Sequence, residues 1–129
     1  MGADICGFIG NSNPDLCRQW SRTGAFYPFS RNHNIKGAMD QDPAVWATKG
    51  HPEVTESAKN ALRMRYRLLP YLYTLMFDAS SKGSTVARPL VHEWPKDENT
   101  ANIGEQFLWG KSLLISPLIH EVSIHFNQL

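Results

Sequence analysis

Helical patterning before residue 83 and strand patterning after it predict a fold of two structural units with a boundary near Gly83. Three observations carry that expectation. Asn13-Pro14-Asp15 is a helix-start signal, and Thr55–Ser81 repeats apolar residues at close to 3.6 positions. From Thr85 onward the apolar runs become short, β-branched and separated by turn residues.

The elements follow in order. Gly2–Phe8 (GADICGF) is glycine-bounded and apolar around one acid, and reads as the end of a buried strand entering a loop. Asn13 suits an N-cap, Pro14 the first turn, and Asp15 the positive end of the helix dipole. Leu16, Cys17 and Trp20 give that helix an apolar face, and Gly24 is the natural stop. Gly24–Asn34 (GAFYPFSRNHN) sets three aromatics beside a Ser-Arg-Asn-His-Asn run, a mixture suited to a concave site for a polar ring-shaped ligand. Asn34–Pro52 lacks periodicity and is read as a long loop, the kind that often serves as a functional or lid-like segment. Within Thr55–Ser81, Pro70 is expected to kink the helix or split it, and Gly83 to end it. Thr85–Val91, Gln106–Gly110 and Ser112–Ile119 read as extended, with a turn-rich stretch at Trp94–Thr100.

Composition narrows the function classes. The 129 residues are 42% hydrophobic, 11% aromatic and 19% charged, which fits a globular fold and opposes disorder. A net charge of +1 without a Lys/Arg cluster argues against nucleic-acid binding. The opening MGADIC has no basic and then apolar leader pattern, and the most apolar window, Leu68–Phe77, is too short to span a bilayer.

Most motif tests are negative. His120-Glu121 with His125 misses the zinc-protease spacing by one residue, and no Cys/His pair offers metal-ligand spacing. No nucleophile elbow or phosphate-binding glycine loop is present, so neither a metal nor a cofactor is expected. Cys6 and Cys17 are either a disulfide or two buried thiols. Asp4 is either a structural carboxylate paired with an arginine or a polar group at the end of a barrel strand. His33 alone reads more readily as a hydrogen-bonded structural histidine than as a ligand contact.

Six blocks nevertheless stand in a specific order: GADICGF, the Leu-Cys-x-x-Trp helix, GAFYPFSRNHN, RYRLLPYLYTL, TVARPLVHE and QFLWGKSLLISPL. From Gly2 to about Glu121 the chain closely resembles the glycoside hydrolase family 31 α-glucosidases, the group of maltase-glucoamylase, sucrase-isomaltase and lysosomal acid α-glucosidase. The resemblance implies an α/β fold in which residues 1–83 are the C-terminal portion of a (β/α)8 TIM barrel. Residues 84–121 would then open the C-terminal β-sandwich, and residues 122–129 match nothing in the pattern. It implies that His33 bonds the sugar of the −1 subsite, that Phe8 lines the neighbouring subsite, and that Asp4 lies close to the −1 pocket. It also implies that Cys6 and Cys17 are bridged, which places the parent protein in a secretory, lysosomal or cell-surface compartment.

The family's chemistry is retaining hydrolysis, with one carboxylate as nucleophile and a second, about 5 Å away, as acid/base. Both motifs belong upstream of GADICGF in the family pattern, so no catalytic residue is expected in this partial chain. It should contribute contacts to a maltose-type oligosaccharide without cutting it. The alternative is a non-catalytic carbohydrate-binding or interaction module. A slice of barrel leaves Leu62, Leu69 and Met76 without their partners, so the isolated chain is expected to aggregate or behave as a molten state.

Overall fold

The computed structural model describes residues 2–118; the His120–His125 motif and the unmatched tail lie outside them. Helices α1 (Pro14–Gly24), α2 (Pro43–Thr48) and α3 (Pro52–Lys82) precede a small antiparallel sheet. That sheet is ordered β1 (Ala87–Arg88), β2 (Phe107–Trp109), β3 (Leu113–Ile115), with Ala87 opposite Trp109 and Leu108 opposite Leu114. A short helix, α4 (Leu90–Glu93), and a 3-10 turn at Glu98–Thr100 connect β1 to β2.

α1 forms as its sequence dictates. The Asn13 side chain accepts from the Leu16 N–H at 2.8 Å, and Pro14 occupies the first turn, where its missing N–H costs nothing. Gly24 ends the helix for a different reason from the one expected. The cap that follows, Ala25, is right-handed, and the space a Gly24 Cβ would need is filled by the Ile5 side chain. Glycine here permits close packing, not a left-handed turn.

The segment read as a loop contains α2. Asp42 caps it by accepting from the Ala44 N–H at 2.8 Å, and Pro43 follows, repeating the Asn13-Pro14 signal. Pro70 does not split α3, which runs unbroken for 31 residues, about 46 Å at 1.5 Å per residue. Gly83 ends it in the left-handed region at φ 70°, as expected. The extended run predicted for Thr85–Val91 shrinks to two residues, because the chain turns into α4 at Leu90.

Two apolar clusters flank the long helix. One joins Ile5, Cys6, Cys17, Trp46 and Val54, with Trp20 and Tyr27 packed against them. The other joins Leu72, Leu75, Trp109 and Ile115, with Phe26 and Leu68 alongside. Gly110 turns β2 towards β3 at φ 56°, with Leu75 and Tyr71 so close that a Cβ would meet them at 2.6 and 2.7 Å.

Candidate functional site

The Gly2–Phe8 segment forms no regular strand. Its one ladder contact is a parallel bridge between Ile5 and Asn32, in which the Ile5 N–H donates to the Arg31 carbonyl at 2.9 Å. Farther along, the Ile35 N–H donates to the Phe8 carbonyl, also at 2.9 Å. Two segments distant in sequence therefore run side by side and present the ends of GADICGF and SRNHN together.

That arrangement stacks two of the three expected site residues. The Phe8 ring and the His33 imidazole lie 5.6 Å apart with their planes 24° from parallel, and both are exposed. An aromatic face beside a ring that can donate and accept suits the CH face and the hydroxyls of a pyranose. Asp4 joins the same segments differently. Arg31 donates from Nε at 3.1 Å and from Nη2 at 2.7 Å to a single Asp4 oxygen, so this carboxylate has the arginine partner that its structural reading anticipated. Cys6 and Cys17 are bridged, with Cα atoms 4.6 Å apart, within the range a disulfide spans. The bridge fastens the strand-like segment to α1. Cys6 itself is held at φ 73°, a left-handed conformation that a non-glycine residue rarely adopts.

The turn that delivers SRNHN is clamped from α3. Arg65 donates Nη1 to the carbonyls of Ala25 at 2.7 Å and Tyr27 at 2.6 Å, and Nη2 to that of Pro28 at 3.2 Å. Partial burial lowers the pKa of this guanidinium from its ordinary value. The carbonyl between them, on Phe26, accepts from the Trp109 indole at 2.6 Å. Ser30 ties back to the Gly24 carbonyl at 2.8 Å. Five consecutive carbonyls, from Gly24 to Pro28, thus have fixed donors, which is why an aromatic-rich stretch holds a single shape.

Sequence reasoning passed over two residues here. Arg65 lies in a block quoted for the resemblance but received no role, because an arginine on a helix usually reads as surface. Gln41 lies in the segment taken for a loop, where nothing in the pattern marks it. Among the described residues, no group of three or more His, Cys, Asp or Glu is placed to hold a metal ion.

Comparison with known proteins gives the class. Residues 1–75 match the glycosyl hydrolases family 31 TIM-barrel domain, and residues 83–127 match the glycosyl hydrolase family 31 C-terminal domain. The chain belongs to glycosyl hydrolase family 31. It is 50% identical over 121 residues to the human protein named probable maltase-glucoamylase 2, a match covering 94% of this chain and 5% of that protein. Lysosomal alpha-glucosidase of Bos taurus is 45% identical over 132 residues, covering 99% of this chain and 14% of the relative. Among solved structures, the family 31 alpha-glucosidase from Bacteroides thetaiotaomicron superposes with a TM-score of 0.81 at 41% identity, over 95% of this chain and 20% of that one. The chain therefore spans a small fraction of the length of the relatives it matches.

Proposed function

We propose that these residues form the sugar-facing wall of a retaining α-glucosidase that removes terminal α-linked glucose from maltose-type oligosaccharides. The Phe8–His33 stack carries the reading, because it joins a pyranose-sized apolar face to a hydrogen-bonding edge at the junction of two parallel segments. In this reading Gly2–Phe8 is the end of a late barrel strand and Ser30–Asn34 the loop after the last one. Residues 1–83 close the barrel, and residues 84–121 open the β-sandwich. His33 bonds the −1 sugar, Phe8 lines the next subsite, and Asp4, held by Arg31, lies close to the −1 pocket.

The two carboxylates of the displacement lie in sequence that these 129 residues do not contain. Orientation is then this chain's contribution to the reaction, and bond cleavage is not. The lysosomal and intestinal names of relatives, together with the Cys6–Cys17 bridge, support a secretory, lysosomal or cell-surface parent. None of the described helices is long and apolar enough to cross a membrane.

The test is glucose release from maltose by the purified chain, expected to stay at the buffer rate; stoichiometric turnover overturns the proposal. The exposed stack also favours a second reading, a non-catalytic sugar-binding module. Maltose titration followed by tryptophan fluorescence separates the two. Saturable binding that disappears in His33→Ala selects the module, and no binding removes it.

A further inference from the structure

Gln41 is buried, with 4% of its surface exposed, although both neighbours in sequence, Asp40 and Asp42, are exposed. Its carboxamide nitrogen faces four acceptors. These are the Ile5 carbonyl at 3.1 Å, the Gly7 carbonyl at 3.2 Å, Asn32 Oδ1 at 3.0 Å and the His33 carbonyl at 3.3 Å. An amide N–H2 group has two hydrogens, so they are shared among the four. The orientation is set by chemistry: turning the amide over would aim its oxygen at the same four acceptors. Asn32 also donates from Nδ2 to the main-chain carbonyl of Gln41 at 3.0 Å.

Two of those acceptors belong to the segment that carries Phe8, and the other two to the segment that carries His33. Direct backbone bonds between the segments occur at Ile5 and at Ile35, on either side of the ring pair. Gln41 fills the interval between them. It also holds the carbonyls immediately before and after Cys6, the residue kept in the left-handed conformation.

We propose that Gln41 is the positioning residue of the Phe8–His33 pair, its carboxamide locking together the two segments that carry those rings. The inference rests on the reading of that pair as the sugar contact and extends it. The Asn34–Pro52 segment then acts as a fixed brace for the wall, not as a lid. Two further bonds pin it to the rest of the chain: Met39 N–H to Asn11 Oδ1 at 2.8 Å, and Thr55 Oγ1 to the Pro43 carbonyl at 2.6 Å.

The test is amide hydrogen exchange read by mass spectrometry on the 129-residue chain at low micromolar concentration. Gln41→Met keeps the side chain's length and bulk but has no donor, and Gln41→Glu places an acceptor-only carboxylate among four acceptors. Exchange should accelerate in peptides covering residues 4–8 and 31–36 in both variants, more in Gln41→Glu. Peptides covering 107–115 should exchange as in the wild type. A space-filling role predicts that Gln41→Met restores wild-type exchange, and that result overturns the proposal. So does a wild-type chain whose 4–8 peptide is unprotected. If Gln41→Met accelerates exchange everywhere, Asn32→Ala decides: faster exchange confined to the two peptides supports the assignment, and an unchanged pattern refutes it. Maltose titration with His33→Ala tests the underlying sugar reading separately, so either can fail alone.

Discussion

Replacing Arg65 by Met should remove much of what holds the SRNHN turn in place. The guanidinium supplies three charge-assisted bonds, to the carbonyls of Ala25, Tyr27 and Pro28. Bonds of this type contribute about 1.5–3 kcal/mol each. The simple sum overstates the loss, because the half-buried turn regains some water and Trp109 still holds the Phe26 carbonyl. A net cost of about 3–5 kcal/mol is the reasoned figure, against about 5–15 kcal/mol for a whole domain. Since 1 kcal/mol moves the midpoint by about 3–5 °C at this chain length, Tm should fall by about 10 °C or more. Arg65→Lys keeps the charge but loses the planar fork, and should lie between the two. Thermal unfolding at low micromolar concentration, followed by circular dichroism, measures all three. A Met variant within about 1 kcal/mol of wild type would show that the three carbonyls do not depend on the guanidinium.

Converting Cys6 and Cys17 together to Ser should cost about 3 kcal/mol, the loop-closure value for an eleven-residue separation, measured by urea denaturation. Glu93 gives a pH signature. The hydrogen bond from Arg88 holds its carboxyl below the ordinary value of 4.5, partly opposed by burial and aided by the Arg88 charge. A depressed carboxylate stabilises the fold fully above the unfolded value and loses that contribution as pH falls through the folded one. Glu93→Gln should therefore flatten the acid limb of the stability profile below about pH 4.5. The outward stripe of α3, with Leu62, Tyr66, Leu69, Tyr73, Met76 and Phe77 exposed, should drive self-association as concentration rises. Light scattering should fall in Tyr66→Glu/Tyr73→Glu, and a wild type that stays monomeric at high concentration would refute this.

The elements with local signals were legible. The Asn13-Pro14 start, the Gly83 stop and the long apolar repeat each depend on residues within one turn of the feature they set. The same logic would have found α2 from Asp42-Pro43, but a six-residue helix has too little periodicity to stand out from a polar loop. Pro70 misled because its cost is local while the reason α3 continues is tertiary: Leu72 and Leu75 just beyond it are buried against Trp109 and Ile115. Of the site, the aromatic and polar mixture around Gly24–Asn34 announced a pocket wall, and ordered motifs pointed to Phe8 and His33. Their face-to-face stacking was not readable, since it depends on bonds between residues more than twenty positions apart. Gln41 illustrates the limit. Its role comes from four acceptors gathered out of two remote segments, and no spacing in the sequence encodes that convergence.

Phe26 and Tyr27 are adjacent in sequence, yet they pack against different apolar clusters, Phe26 edge-on to Trp109 and Tyr27 bonded to Trp20. One dipeptide therefore acts as a rivet between two masses of side chains that otherwise share chiefly a helix. Loosening either cluster strips one face of the rivet and weakens its seat in the other. Dipeptide and helix together couple the two halves, so whatever tertiary structure the isolated slice retains should be lost as one unit, with the Trp20 and Trp109 environments changing at the same temperature.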